Sequence, residues 1–144
     1  TTESCLMKKI EVVAAIIIKN EKILAVQKGK AKFDYVSYKW EFPGGKVEID
    51  ESLEQAIQRE ILEELNIRII PKELLITVEH TYPDFHLMMH CFICDYEVRD
   101  LHLTEHIQLT WLNHSELNTL DWAAADIPVV ETLIKYNVKM QDVK

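Results

Sequence analysis

Glycine and proline are scarce in this chain, 3 and 4 among 144 residues, and no stretch repeats a simple composition. That scarcity excludes a collagen-like, linker-rich or disordered chain. Cysteine is also sparse: Cys5, Cys91 and Cys94 form an odd set, which argues against a disulfide-stapled secreted domain and for a reducing, cytoplasmic setting. Long apolar runs are missing. Val12 to Ile18 is among the longest, far short of the roughly 20 residues that a membrane-spanning helix needs, so no membrane partner is expected. Thr1 to Ile10 has no apolar stretch before a small-residue cleavage site, so a secretory leader is not expected either. Positive charge is in deficit, with 16 Lys+Arg against 24 Asp+Glu and a formal charge of -8. That is the wrong sign for coating a nucleic acid backbone, and duplex nucleic acid is not an expected partner.

What remains, 48% hydrophobic and 28% charged residues, fits one globular domain over residues 1–144. Ile10 to Ile18 and Lys22 to Gln27 read as two strands joined by a tight turn at Lys19-Asn20-Glu21. Gly29 to Lys39 has no strand or helix period and reads as an exposed loop, after which Trp40 to Pro43 reads as a strand ending at Gly44-Gly45, where unusual backbone freedom is expected. Ser52 and Gln55 match a capping box, predicting a helix from Leu53 to Leu65 that ends on a left-handed Asn66. Further strands are predicted at Ile67 to Ile70, Leu74 to His80, Phe85 to Val98 and Ile107 to Trp111, with a turn at Pro83-Asp84. A last helix over Ile127 to Tyr136 is opened by Asp126 and Pro128. The fold class is therefore α/β, a mixed sheet with helices packed on it.

Seven acids lie between Glu48 and Glu64, against the single base Arg59. At 100° per residue, Glu60 and Glu64 continue the face begun by Leu53, Ala56 and Ile57, with Glu63 beside them. A core-facing stripe thus turns acidic midway, and Glu60 and Glu64 repel each other as like charges four residues apart. A hard divalent cation takes carboxylate and carbonyl oxygens and would offset that repulsion, with Gly44-Gly45 able to add a backbone carbonyl. The alternative is a solvated acidic helix end.

From Gly45 the chain reads five residues, Glu51, seven residues, then Arg59-Glu60-Ile61-Leu62-Glu63-Glu64-Leu65-Asn66-Ile67. This resembles the Nudix box, G-x5-E-x7-R-E-U-x-E-E-x-G-U with U a bulky aliphatic, over residues 45–67. It departs only at Asn66, which stands for a glycine and tolerates the left-handed conformation. Ile10 to Ile16, Trp40 to Lys46 and Ala125-Asp126-Ile127-Pro128 are also similar to MutT-like nucleoside triphosphate pyrophosphohydrolases, the CTP-type branch especially.

The resemblance implies an α/β/α sandwich and Mg²⁺-dependent hydrolysis of a nucleoside triphosphate to the monophosphate and pyrophosphate, with Mn²⁺ able to substitute. It implies Glu60, Glu63, Glu64 and Glu105 as metal ligands, with a carbonyl from Gly44 or Gly45, and Arg59 as the group that orients a catalytic glutamate. Either Glu60 or Glu105 would act as general base. Lys28 is implied as a cation for the phosphates; Tyr35, Glu41, Phe42 and Asp126 are the other candidate substrate contacts. An ionised Asp126 accepts hydrogen bonds only, which favours a base offering an amino donor, the cytosine of CTP or dCTP or an oxidised purine, over uracil; capping the last helix is its competing role. Monomer and homodimer both remain open. The rival activities are hydrolysis of ADP-ribose or a nucleotide sugar, and nucleotide sensing without cleavage. Cys91 and Cys94, at odd spacing on one strand, are expected on opposite faces as core thiols. The pairs His86/His90 and His102/His106 lack the partners of a zinc motif, and Trp111, Trp122, Met88 and Met89 are expected in core packing.

Overall fold

The computed structural model describes residues 7–97 and 100–143, with side chains through residue 135; Cys5 and Val98 lie outside it. Strand β1 (Lys8–Lys19) turns directly into β2 (Lys22–Lys28). Asn20 and Glu21 both have positive φ, 52° and 66°, the conformation a two-residue hairpin turn needs to match strand twist. Then come β3 (Trp40–Glu41), β4 (Gly44–Lys46), helix α1 (Leu53–Leu65), β5 (Ile69–Thr81), β6 (Phe85–Tyr96), β7 (His106–Leu112) and helix α2 (Ile127–Val143), with short 3-10 turns in the connections.

The sheet runs β3-β2-β1-β6-β5, with β4 added to β1 and β7 to β2. β1 pairs parallel with β6 and antiparallel with β4, so the sheet is mixed. Both faces of β1 are covered, which explains its unbroken apolar run where a half-exposed strand would alternate. Ala14 and Ile16 pack toward Val129, Val130 and Leu133 of α2. Val13, Ala15 and Ile17 pack toward Ala56, Ile57, Ile61 and Leu65 of α1. Cys91 belongs to the first cluster and Cys94 to the second, as their odd spacing requires. Burial raises both thiols, Cys94 to about 12, so both stay protonated and inert. Among the described residues no helix is long and apolar enough to cross a membrane.

Two sequence expectations need correction. Ile69-Ile70 and Leu74 to His80 are parts of the single strand β5, with Ile67 and Arg68 ahead of it, and its pairing with β6 slips between Pro71 and Glu73 and again between Leu74 and Ile76. Pro71 sits at such a bulge on an edge strand, where its missing N–H costs no ladder bond. Gly44 and Gly45 lie within β4 and have no positive φ; their reason is steric closeness, described below.

Candidate active site

Helix α1 starts on the full capping box of Ser52 and Gln55 and ends at Asn66 in the left-handed region, φ 59°. Those ends fix which side chains face the sheet. Ala56, Ile57, Ile61, Glu64 and Leu65 are buried, so Glu64 occupies a core position, while Glu60 is half-buried beside it and Glu63 lies on the exposed flank. Arg59 folds back over this acidic surface. Its Nε is 2.6 Å from Glu51 Oε2, its Nη1 is 2.8 Å from Glu60 Oε2 and 3.4 Å from Glu63 Oε2, and Nη2 donates to the Lys46 carbonyl at 2.9 Å. One guanidinium, with its rigid fork of donors, therefore hydrogen-bonds three of the seven acids and stands 3.8 Å from a fourth, Glu48.

Glu64 is 2% exposed, and burial, with the charges of Glu60, Glu105 and Glu41, raises its carboxyl to about 9. Its Oε2 has no hydrogen-bond partner. The segment before β7 caps the C-terminal end of α1: His102 N–H donates to Leu65 O, and Thr104 N–H to Glu64 O at 3.1 Å. The Thr104 hydroxyl donates to the carbonyls of Glu63 and Glu64. This cap carries the exposed Glu105 close enough to Glu64 for its charge to be felt. His106, the first residue of β7, lies between Glu64 and Glu41, and Glu41 Oε1 is 3.9 Å from Lys28 Nζ. The sequence does not single out Thr104, and it singles out His106 only in the His102/His106 pair that lacks the partners of a zinc motif. His106 directly follows Glu105, but a strand read from Ile107 leaves it outside.

The two glycines explain themselves through space. A Cβ on Gly44 would strike the Val13 carbonyl of the neighbouring strand, and one on Gly45 would strike the Glu60 carboxylate. Gly45 thus lets the sheet edge approach the acidic face of α1.

Next to this edge opens a cavity of about 300 Å³ whose lining includes Val12, Lys28, Glu41, Phe42, Gly45, Tyr82, Phe85, Leu87, Met89 and Asp126. Most of the wall is apolar, with a few polar groups, the pattern of a small-molecule site. β3 is held to the segment before α2 by Trp40 N–H to Asp121 O and Ala123 N–H to Trp40 O, both 2.9 Å. That link brings Asp126, 4% exposed, onto Phe42, whose N–H donates to Asp126 Oδ2 at 3.0 Å. The hydrogen bond that Asp126 accepts therefore comes from the residue after β3 and not from α2, which speaks against the competing role as a helix cap. Burial and the charge of Glu41 raise its carboxyl well above the usual range, against the opposing effects of the Phe42 N–H and Lys28. Tyr35 stands one layer back, stacked on Tyr82 at 5.3 Å and donating its hydroxyl to Asp84 Oδ2 at 2.8 Å. Tyr82, on the wall itself, went unnoticed in the sequence. Trp122 packs on Phe42 at 4.7 Å, in the core as expected.

Glu60, Glu63 and Glu64, with Glu105 and the β4 carbonyls nearby, form an oxygen-only donor set, which suits a hard divalent cation. An orphaned buried carboxylate oxygen on Glu64 fits such a role. Among the described residues no three His, Cys, Asp or Glu side chains already close around one point; Arg59 holds Glu60 and Glu63 instead. His86 and His90 are engaged elsewhere, by Glu79 and Thr81 and by Glu11 and Thr77.

The NUDIX domain profile matches residues 8–133. The chain is 39% identical over 132 residues to a CTP pyrophosphohydrolase of Escherichia coli strain K12, covering 89% of this chain and 93% of that protein. It is 32% identical over 127 residues to an 8-oxo-dGTP diphosphatase of the same organism, covering 88% and 98%. A crystal structure of a MutT protein from Methanosarcina mazei Go1 superposes with a TM-score of 0.81 at 26% identity, over 92% of this chain and 97% of that one.

Proposed function

The chain belongs to the Nudix family, and from that premise we propose that it hydrolyses a nucleoside triphosphate to the monophosphate and pyrophosphate, using Mg²⁺ or, in its place, Mn²⁺. The observation that carries this reading is the adjacency of two surfaces. The apolar cavity with Asp126 at its wall opens at Gly44 and Gly45, the same edge that rests against Glu60.

The base enters the cavity between aliphatic side chains and the rings of Tyr82 and Phe85, and Asp126 meets its polar edge. Lys28 directs its ammonium toward the phosphates as they leave the cavity. Glu60, Glu63, Glu64 and Glu105 hold the cation. When bound, it supplies charge neutralisation between carboxylates and phosphates, polarisation of a phosphoryl group and acidification of the attacking water. Arg59 keeps Glu60 in place through its 2.8 Å contact. Water oxygen adds to phosphorus as one P–O–P bond breaks; pyrophosphate leaves, and the water proton passes to Glu60 or Glu105. A carboxylate tied to a cation is the poorer base, which favours whichever of the two is the less tightly held.

Retention of Arg59, Glu60, Glu63 and Glu64 favours turnover over sensing without cleavage. Product analysis across a panel of CTP, dCTP, UTP, 8-oxo-dGTP, ADP-ribose and a nucleotide sugar tests the reading. Pyrophosphate release from a triphosphate, dependent on added Mg²⁺, is expected. Cleavage confined to ADP-ribose or the sugar nucleotide, or none at all, would overturn it.

A further inference from the structure

Two neighbouring buried groups near the acid row each carry an unpaired polar atom, Glu64 Oε2 and His106 Nδ1. Buried polar atoms are normally paired, so such a juxtaposition calls for an explanation. His106 Nδ1 is 3.7 Å from Glu64 Oε1, too long for a hydrogen bond, whereas Nε2 is 2.9 Å from Glu41 Oε2. A carboxylate only accepts, so Nε2 carries a proton toward Glu41. The His106 side chain is 4% exposed; water does not account for its polarity.

The backbone is shaped to aim this ring. β7 pairs with β2 through Gln27 and Gln108, then shifts register so that Lys28 faces His106. Ile107 is the extra residue and is turned out to 56% exposure, while His106 points inward. Bulges beside functional sites re-aim side chains in this way. The result is a row across four elements: Lys28 on β2, Glu41 on β3, His106 on β7 and Glu64 on α1. Lys28 and Glu41 line the cavity; Glu64 belongs to the acidic face.

Resting on the hydrolase reading above, we propose that His106 is a positioning residue through which Glu41, a cavity group on the other side of the ring, sets the orientation of Glu64 and thereby the affinity for the cation. Glu41 divides its two oxygens between Lys28 and His106. Phosphates that attract Lys28 weaken its hold on Glu41 and leave that carboxylate to bind the imidazole more firmly. The ring, 4% exposed and set between the two carboxylates, then passes the constraint to Glu64. Outer partners that orient a ligating carboxylate act in this manner, and their loss typically lowers metal affinity about 10–100-fold.

The test is nucleotide-free Mn²⁺ binding to the full chain, followed by electron paramagnetic resonance of the free ion, in wild type, Glu41→Gln, His106→Asn and the double variant. Each single substitution is expected to raise the Mn²⁺ Kd about tenfold, and the double variant no further than His106→Asn alone. The kcat lost in His106→Asn should return at about tenfold higher Mn²⁺, which a general packing defect would not allow. Independent, multiplying effects of the two substitutions would overturn the coupling while leaving the hydrolase reading intact. Absence of Mn²⁺ binding in wild type would overturn both. Should the His106 variant fail to fold, Glu41→Gln decides alone: it is isosteric, and an unchanged Mn²⁺ Kd overturns the proposal.

Discussion

Asp126 Oδ2 accepts the backbone N–H of Phe42 at 3.0 Å although 84 residues separate the two in sequence. The bond fixes a carboxyl at the cavity wall and gives Asp126→Asn a selective consequence. An amide oxygen can keep the Phe42 bond, and the amide nitrogen then presents a donor where the second carboxyl oxygen could accept one. Relative to UTP, kcat/KM for CTP is expected to fall by about 1–3 kcal/mol of transition-state stabilisation. Equal losses on CTP, UTP and 8-oxo-dGTP would reduce Asp126 to a structural tie.

The same carboxyl should make selectivity depend on pH. Burial first, then Glu41, raises its pKa well above the usual 3.8. The acid form donates as well as accepts, while the ionised form only accepts, so the CTP:UTP ratio of kcat/KM should climb as pH rises through the raised value. Stability moves oppositely. A raised folded pKa contributes stability below the ordinary carboxylate range and loses it as pH rises through the folded value. Melting curves of wild type should therefore fall toward alkaline pH more steeply than those of Asp126→Asn; parallel curves would contradict the assignment.

Glu51 is shifted the other way. Its hydrogen bond from Arg59, and the N–H of Glu48, lower its carboxyl to about 2 from 4.5. A depressed folded pKa contributes stability above the ordinary value that is lost as pH falls from there through the folded one. Glu51→Gln should melt below wild type at pH 7, and the gap should close between pH 4.5 and about 2. A gap independent of pH would mean that Glu51 matters through packing and not through charge.

The periodicity of α1 and its cap were readable in the sequence because they are local: Ser52 with Gln55, the apolar stripe, and Asn66 all act within one helix. So was β1 as a strand, from its run of Val, Ala and Ile; the cover on both its faces depends on α1 and α2 and shows only in the fold. Local rules failed where distant strands meet. The close approach at Gly44 and Gly45 depends on Val13 and Glu60, and without them a glycine pair reads as a flexible turn. His106 depends on a register shift against β2, and Tyr82 on the fold of the β5–β6 turn against Ala125, whose N–H it accepts at 3.0 Å. No periodicity encodes these.

Metal dependence should appear in stability as well as turnover. With Glu64 raised to about 9 by burial and by the like charges of Glu60, Glu105 and Glu41, the metal-free protein should lose stability as pH rises from 4.5 through that value. Glu64→Gln removes the titration and should melt at or above metal-free wild type while abolishing turnover. In wild type, Mg²⁺ at a hundredfold excess over its Kd should add about 2.7 kcal/mol, and a chelator should remove it. If the Glu64→Gln protein keeps the full Mg²⁺ shift, Glu64 is excluded from the cation site.

The adjacent glycines of β4 should separate stability from catalysis. At Gly44 an added Cβ meets backbone, the carbonyl and Cα of Val13 and Ala14 in the central strand, which cannot yield without opening the β1–β4 pairing. Gly44→Ala is expected to cost about 1–3 kcal/mol, the usual range for overpacking a well-filled site. At Gly45 the atoms nearest the added Cβ are the end of the Glu60 side chain, which can swing aside, so the melting temperature should change little. The displaced carboxylate would then leave its place beside Arg59 and the β4 edge. Gly45→Ala should therefore weaken Mn²⁺ binding and lower kcat at limiting metal while keeping near wild-type stability. Thermal melts and Mn²⁺ titrations on the two variants check this. If Gly45→Ala binds Mn²⁺ as wild type does, Glu60 is not a ligand in the place proposed for it.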